Sequence, residues 1–257
     1  MDKKIALTIA GSDSIAGAGI QADLKTFYAL GVYGTSALTA VTAQNTCGVN
    51  NAHFLPEDFV AEQIDAVATD VKVSAVKTGM LANDKIVKAV AHKVKEYELP
   101  FLVVDPVLVS TSGHLLLTEE AVNVIKNELF PLAKIVTPNI PEAEKLTDIK
   151  IETKKDMEKA AILLREMGPE TVLIKGGHKE GEALDIFFDG KEFSYLSAPR
   201  IGVGSVHGTG CTLSAAIASY LAREVNIFQA VEKSKKYVWK AINENYLLGK
   251  GSLLLNH

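Results

Sequence analysis

The sequence predicts an α/β fold, a layered sandwich built on a mostly parallel sheet. Short apolar runs alternate with longer stretches of helical periodicity along the 257 residues, which is the pattern of successive βαβ units. Most of these runs are continuously apolar, as expected for strands covered on both faces. Hydrophobic residues make up 47% of the chain, ample material for one large core. No repeat, low-complexity tract or linker interrupts it, so a single domain over residues 1–257 is predicted.

The apolar runs predict strands over residues 5–10, 35–42, 75–77, 101–105, 135–137, 171–175 and 183–188. Helix start signals lie between them at Pro56 with Glu57 and Asp58, Asn83 with Asp84, Thr118 with two glutamates, and Thr153 with Asp156. The helix after Thr153 has a predicted core-facing stripe of Met157, Ala160, Ala161 and Leu164. An Asp189-Gly190 turn predicts an antiparallel hairpin at one edge of the sheet. Two helices, over residues 211–223 and 226–248, are predicted for the last part of the chain.

Composition excludes or disfavours several classes of protein. The 27 basic residues against 31 acidic ones give a net charge of −4, so no general field attracts nucleic acid or anionic lipid. Two cysteines, Cys47 and Cys211, are too few for a disulfide framework, and no Cys/His cluster has zinc spacing. A reducing cytoplasm is therefore expected. The N-terminus lacks the features of a signal peptide, and no stretch reaches the ~18 apolar residues of a membrane span.

The strongest local signal is a glycine-rich segment that leads into a helix of small residues. Gly202, Gly204, Gly208 and Gly210 fall within nine residues, and Cys211 follows directly. Glycine permits positive φ and close approach of a ligand, while the first turn of a helix offers free N–H groups. The segment predicts an anion hole, with a flexible loop before a core helix as the alternative. At a helix N-terminus the Cys211 thiol is expected to have a lowered pKa, unless it is a buried, inert cysteine.

The sequence does not fit the patterns of two other kinds of phosphate-binding loop. The Gly-x-x-x-x-Gly-Lys-Ser/Thr pattern of P-loop NTPases does not occur in the chain. Gly17-Ala-Gly19 follows the first predicted strand as a dinucleotide fingerprint would, but residues 37–42, about 20 positions later, contain no acidic residue. A P-loop is therefore excluded and a dinucleotide site is disfavoured.

Polar residues and glycines recur directly after nearly every predicted strand. Because ligands bind beyond the carboxyl ends of the strands of an open parallel sheet, these residues should approach one cleft. They are Gly11, Gln44 and Asn45, Gly79 and Met80, Asp105 to Val107, Asn139 and Glu142, and Lys175 to His178. Taken singly, each is more often a helix cap or a turn former. Lys175 ends an apolar run before two glycines, which predicts a lone cation at the ligand end of a strand.

Motifs along nearly the whole chain resemble one kinase family. They are Gly11-Ser-Asp-Ser, Ala18-Gly-Ile-Gln-Ala-Asp-Leu-Lys-Thr-Phe27, Thr42-Ala-Gln-Asn-Thr46, Lys77-Thr-Gly-Met-Leu81, Asp105-Pro-Val107, Thr137-Pro-Asn-Ile-Pro-Glu142, Lys175-Gly-Gly-His178 and His207-Gly-Thr-Gly-Cys-Thr-Leu-Ser214. In this order they resemble the hydroxymethylpyrimidine/phosphomethylpyrimidine kinases of thiamine biosynthesis. The resemblance implies a ribokinase-like three-layer α/β/α sandwich with a mostly parallel central sheet. It also implies ATP- and Mg²⁺-dependent phosphorylation of 4-amino-5-hydroxymethyl-2-methylpyrimidine and then of its monophosphate.

The resemblance further implies roles for individual residues. Gly208 and Gly210 would cradle the phosphoryl oxygens, Cys211 would take the hydroxyl proton, and Lys175 would balance charge on the migrating phosphate. ATP would be bound by Lys175, Thr209 and Gly210, and magnesium would be organised by Asn139 and Glu142, with Asp105 as an outer-shell partner. The substrate would contact Gly11, Asp23, Gln44, Met80 and Val107. A homodimer is common in this family.

Two alternatives stay open. A pyridoxal kinase of single or dual specificity is the nearer one, although Gln44 and the Lys175-Gly-Gly-His178 run look like the pyrimidine kinase form. The other is a non-catalytic ligand-binding protein on a kinase scaffold. Loss of Cys211, Lys175 or the glycines would favour that reading, and none of them is lost.

Overall fold

Nine strands form one sheet in the computed structural model of the protein, which describes residues 3–108, 118–176 and 183–257. They are β1 (Ile5–Asp13), β2 (Tyr33–Asn45), β3 (Gly48–Phe54), β4 (Ala75–Thr78), β5 (Leu102–Val104), β6 (Ala133–Val136), β7 (Thr171–Ile174), β8 (Ala183–Phe188) and β9 (Phe193–Ala198). The order across the sheet is β3-β2-β1-β4-β5-β6-β7-β8-β9. Strands β2, β1, β4, β5, β6 and β7 run parallel, and the antiparallel pairs lie at the two edges, β3 with β2 at one and β8 with β7 and β9 at the other.

Helices cover both faces of this sheet. One face carries α1 (Gly19–Ala29), α7 (Thr209–Ala222) and α8 (Ile227–Asn243), which share a buried cluster that includes Phe27 and Leu213. The opposite face carries α2 (Glu57–Ala68), α3 (Asp84–Glu96), α4 (Glu119–Val124), α5 (Ile140–Thr147) and α6 (Lys154–Glu166). The predicted three-layer α/β/α sandwich with a mostly parallel sheet is therefore confirmed. In the part of the chain that the structure describes, no helix has both the length and the apolar character needed to cross a membrane.

Three of the four helix start signals are confirmed by capping contacts, and the fourth, Pro56, directly precedes α2 but makes no side-chain cap. The side chains of Asn83, Thr118 and Thr153 each accept a hydrogen bond from a backbone N–H in the first turn of α3, α4 and α6. Such caps satisfy donors that have no partner within the helix. The predicted stripe of α6 is buried at all four positions, Met157, Ala160, Ala161 and Leu164. The hairpin of β8 and β9 at the sheet edge is also confirmed.

Some boundaries differ from the predictions. Strand β3 was not predicted, because its sequence mixes glycine and asparagine, which are poor strand formers, and only its pairing with β2 makes it extended. Helix α7 begins at Thr209 rather than at Cys211, since Gly208 in left-handed conformation already starts it. Helix α8 ends at Asn243 rather than at Leu248.

A second, two-stranded sheet brings the end of the chain to the glycine-rich segment. Strand β10 (Val206–His207) pairs in parallel with β11 (Leu253–Leu254). The backbone of residues 251 and 252 also bonds to Thr46, beyond the end of β2. The C-terminal segment thus connects the ligand end of β2 to the segment that precedes α7.

Candidate active site

A cavity of about 750 Å³ lies at the carboxyl ends of the parallel strands. All but one of the predicted site residues line it, namely Gly11, Gln44, Met80, Asp105, Val107, Asn139, Glu142, Lys175, Gly208, Thr209, Gly210 and Cys211. For the residues that follow a strand, from Gly11 to Lys175, this convergence is what the strand-end rule for open parallel sheets predicts. The resemblance placed Gly208 to Cys211 with them. Gly177 and His178, which belong to the predicted Lys175 motif, lie outside the described residues.

Gly208 is the glycine whose conformation the site requires. Its φ is +84°, and a Cβ there would stand 1.7 Å from the carbonyl oxygen of Gly17, so no other residue fits. Gly208 begins α7 without a side-chain cap, and Thr209, Gly210 and Cys211 in the first turn all line the cavity. The glycine-led start of α7 therefore lies at the cavity, and the anion hole stays a prediction for this place. A Cβ on Gly202 or Gly204 would meet nothing within 4 Å, so those two glycines are not required by packing.

Lys175 is not the lone cation that its sequence position predicted. Its ammonium lies 2.9 Å from Asp105 Oδ1 and 4.0 Å from Glu142 Oε2. Burial opposes the charge on Lys175, but the two carboxylates raise the pKa of its ammonium above the ordinary value. Asp105 also accepts hydrogen bonds from Thr137 and Ser214. The prediction was wrong because the two carboxylates come from other parts of the chain, Asp105 from the end of β5 and Glu142 from α5.

Asn139 and Glu142, the predicted magnesium residues, form a capping box at the start of α5. The Asn139 side chain accepts from the Glu142 N–H, and the Glu142 side chain accepts from the Asn139 N–H, both at 2.8 Å. Burial raises the pKa of Glu142 to about 7, against the attraction of Lys175. Within the described ranges, no group of three or more His, Cys, Asp or Glu side chains could hold a metal ion. The donor set fits only a cation that takes most of its ligands from phosphate and water, as Mg²⁺ does.

The remaining predicted residue, Asp23, does not line the cavity. Its side chain is fully buried and accepts from Lys77 at 2.7 Å and from Thr8 at 2.6 Å. Lys77 is also fully buried, and it does line the cavity. Asp23 therefore lies beneath the wall as the partner of a lysine, and the expected substrate contact is corrected. No role was predicted for Lys77, although a lysine inside the apolar strand β4 was a visible signal.

Cys211 has the opposite pKa shift from the one predicted. Burial raises the pKa of its thiol to about 11, although the nearby charge of Lys77 acts in the other direction. The prediction considered only the helix N-terminus, which lowers a thiol pKa when the sulfur is solvated. Here the loss of solvation outweighs that effect, and the thiol is protonated at neutral pH.

Asp13 and His207 form a second pair that the sequence reading missed. His207 Nε2 lies 3.0 Å from Asp13 Oδ2, which also accepts from the backbone N–H groups of Gly17 and Ala18. Burial favours the neutral acid, but His207 and these N–H donors hold the pKa of Asp13 below its usual value. The Gln44 carboxamide also lies 3.0 Å from His207 Nε2. Both missed residues belong to motifs already noted, yet nothing in their spacing indicated the contact.

Comparisons with known proteins agree with this geometry. The family model for phosphomethylpyrimidine kinase matches residues 13–256. The hydroxymethylpyrimidine/phosphomethylpyrimidine kinase of Bacillus subtilis is 46% identical over 254 residues, covering 98% of this chain and 94% of that protein. A bifunctional thiamine biosynthesis protein of Geobacter sulfurreducens is 50% identical over 252 residues, covering 98% of this chain. The chain spans about half the length of that relative and of the two plant bifunctional enzymes that it also matches.

Solved structures of kinases have the same fold as this chain. A phosphomethylpyrimidine kinase from Clostridium difficile has a TM-score of 0.84 at 47% identity, over 93% of this chain and 100% of that one. An ADP complex of the Bacillus subtilis pyridoxal kinase has a TM-score of 0.93 at 35% identity, over 100% and 98%. The fold and the site thus define a small-molecule kinase of the ribokinase-like class. Within that class, the chain belongs to the phosphomethylpyrimidine kinase family.

For the buried Lys77–Asp23 pair, we expect that replacing one partner destabilises the protein much more than replacing both. Lys77→Met should lower the free energy of unfolding by roughly 3–5 kcal/mol, because it leaves the Asp23 carboxylate buried without a counter-charge. The double variant Lys77→Met/Asp23→Leu should recover much of that loss. Urea unfolding measures both, with Lys88→Ala, which breaks the exposed Lys88–Asp84 pair, as the control of small effect. Additive losses in the double variant would contradict the pairing.

The protonated state of Cys211 predicts selective alkylation. Iodoacetamide at neutral pH should modify the exposed Cys47 well before the partly covered Cys211. In a Cys47→Ser variant, the rate at Cys211 should rise about ten-fold per pH unit toward pH 11, since the thiolate is the nucleophile. Mass spectrometry of quenched samples measures the rate. A plateau below about pH 8 would show that the thiol is more acidic than its burial implies.

Proposed function

We propose that this protein transfers the γ-phosphoryl group of ATP to the hydroxymethyl oxygen of 4-amino-5-hydroxymethyl-2-methylpyrimidine, and then phosphorylates the resulting monophosphate. The observation that supports this most directly is that one cavity of about 750 Å³ is lined both by cationic and N–H-bearing groups and by the residues expected to contact the substrate. Lys175 and the first turn of α7, the proposed phosphate end, supply the former groups, and Gly11, Gln44 and Met80 are among the latter residues. Whole-length relatives named for this activity are 44–47% identical to the chain.

The phosphate end has the features that phosphoryl transfer needs. In that reaction, positioning and neutralisation of charge on the phosphoryl oxygens supply most of the catalysis. The free N–H groups of the first turn of α7 are suited to those oxygens, and the Lys175 ammonium lies beside them, since a Cβ on Gly210 would stand 3.3 Å from its Nζ. A relative from Staphylococcus aureus, 34% identical, was solved with the ATP analogue AMP-PCP and pyridoxal. This supports ATP as the donor for the present chain.

Magnesium and its water ligands would be organised at the same end by Asn139 and Glu142, with Asp105 as an outer-shell partner. Both carboxylates are buried close to Lys175, and the ion would take its other ligands from phosphate and water. When bound, Mg²⁺ neutralises charge on the β- and γ-phosphate oxygens. The capping contacts of Asn139 and Glu142 keep these side chains in fixed positions.

Cys211 is the proposed acceptor of the hydroxyl proton. The substrate oxygen forms a bond to the γ-phosphorus, the bond from that phosphorus to the bridging oxygen breaks, and the proton passes to the Cys211 thiolate. ADP leaves with the bridging-bond electrons. A thiol with a pKa of about 11 is a strong base once ionised, but it is ionised in only about one molecule in 10⁴ at pH 7. The buried charge of Lys77 is the feature of the site that favours the thiolate.

Pyridoxal kinase is the second candidate, because solved pyridoxal kinases superpose with TM-scores of 0.92 to 0.93. Their identity to this chain, 34–35%, is lower than that of the pyrimidine kinases. The deciding experiment is an ADP-release assay with the pyrimidine alcohol, its monophosphate and pyridoxal in parallel. We expect the highest kcat/KM for the two pyrimidines, and a higher value for pyridoxal would overturn the proposal. The expectations of a cytoplasmic location and a homodimer stay predictions.

Replacement of Cys211 tests the proton step. Cys211→Ala should fold normally and lose turnover by ~10²–10⁴-fold. Because the thiolate exists above its pKa, wild-type kcat/KM should rise with pH toward about 11, and the variant should lose this dependence. Steady-state rates with the pyrimidine alcohol between pH 6 and 10 measure both effects. Turnover within about threefold of wild type would remove Cys211 from the mechanism.

Replacement of Lys175 tests charge stabilisation in the transition state. Lys175→Ala should lower kcat more than it raises the KM for ATP, because a charge directed at the migrating phosphoryl group acts mainly in the transition state. Lys175→Arg keeps the charge and serves as the matched control, which should retain more turnover than the alanine variant. Unchanged kcat with a raised KM for ATP would indicate nucleotide binding in the ground state instead.

A further inference from the structure

Three segments of the chain meet at one atom, the Nε2 nitrogen of His207. Strand β10 carries His207, Asp13 ends β1, and Gln44 lies near the end of β2. The Asp13 Oδ2 atom and the terminal atom of the Gln44 carboxamide each lie 3.0 Å from this nitrogen. His207 and Asp13 are both buried, and all three residues line the cavity. The contacts therefore belong to the cavity wall.

The partners of Asp13 determine which hydrogen His207 carries. The Asp13 carboxylate accepts from the N–H groups of Ile15, Gly17 and Ala18, so it is surrounded by donors and is ionised. An ionised carboxylate can only accept hydrogen bonds. His207 Nε2 must therefore carry a hydrogen and donate it to Asp13.

That hydrogen fixes the orientation of the Gln44 carboxamide. The oxygen and nitrogen of an amide are told apart by their partners. The amide atom placed 3.0 Å from His207 Nε2 is the Gln44 nitrogen, and two N–H donors cannot face each other. Only the amide oxygen can share the Nε2 hydrogen with Asp13, so we assign the oxygen to this position. The other end of the amide lies 3.1 Å from Thr42 Oγ1, and the Ser12 carbonyl is the nearer acceptor for that hydroxyl, at 2.9 Å. A hydroxyl can donate or accept, so Thr42 suits either orientation of the amide, and His207 decides between them.

We propose that His207, anchored by Asp13, is a positioning residue that sets the order in which Gln44 presents its donor and its acceptor to the ligand. This inference rests on the proposed function. The carboxamide has one N–H and one lone pair beyond its contacts with Thr42 and His207. A rotation of the amide by 180° would exchange the positions of this N–H group and this lone pair on the side that faces the cavity. An aminopyrimidine presents a ring nitrogen beside an exocyclic amine, so it pairs with only one of the two orders, whereas pyridoxal presents a ring nitrogen and a phenolic hydroxyl in another arrangement.

The test is a double-mutant cycle on His207 and Gln44. Gln44→Leu should raise the KM for the pyrimidine alcohol by about ten-fold or more and change pyridoxal phosphorylation much less. His207→Leu should raise the same KM by about ten-fold, with kcat within about threefold. The double variant should be no worse than Gln44→Leu alone, because His207 acts through Gln44. His207→Gln, which keeps a terminal N–H donor, is the matched control and should recover most of the loss.

Additive effects in the double variant, or an equal loss on both substrates, would overturn the inference and leave His207 a purely structural residue. A second measurement does not depend on activity. In the wild-type protein, ¹⁵N NMR of the histidine rings should show His207 with its hydrogen on Nε2, assigned by comparison with His207→Gln. A neutral ring with the hydrogen on Nδ1 would overturn the inference directly. A wild-type protein that fails to phosphorylate the pyrimidine alcohol would instead refute the proposed function, while the NMR result would still decide the state of His207.

Discussion

The burial of charge at the carboxyl edge of the sheet is the constraint on which the site depends. Lys77 pairs with Asp23 and Lys175 pairs with Asp105, and all four side chains are largely or fully removed from water. Removing an ion from water costs several kcal/mol, and only good pairing geometry returns that cost. Each lysine is therefore held in place by its carboxylate partner. The cations that the proposed reaction needs are thus already in position before any ligand binds.

The same constraint explains what could be predicted from the sequence. Apolar runs ending in polar residues predicted the strands, and parallel strands place their carboxyl ends together, so residues as distant in sequence as Gly11 and Lys175 were correctly expected at one cleft. Pairing was not predictable in this way. Asp23 and Lys77 are 54 residues apart, and Asp13 and His207 are 194 apart. Spacing shows that residues share an edge of the sheet, but it does not show which side chains touch.

Besides the pairing of side chains, the burial of individual groups could not be predicted from the sequence. The position of Cys211 at a helix start was predicted to within one turn, yet the pKa of its thiol depends on how much solvent the folded chain removes from the sulfur. For Asn139 and Glu142 the helix-cap alternative was recognised, and the structure adds that they cap the same helix reciprocally. The type of residue at a strand end therefore predicts whether that residue lies in the site. It predicts less reliably the protonation state of the side chain or the ligand that the side chain binds.

The loop after β1 links His207 to the start of α7. Asp13 at its start anchors His207, while the Gly17 carbonyl at its end lies so close to Gly208 that a Cβ there would overlap it. Gly19 approaches Gly11 in the same way, since a Cβ on Gly19 would stand 2.3 Å from the Gly11 carbonyl oxygen. The segment that anchors His207 is therefore packed directly against the turn at the start of α7. Under the proposed function, this packing would couple recognition of the ring to placement of the hydroxyl group, because displacement of a reacting atom by about 1 Å can cost roughly 10²-fold in rate.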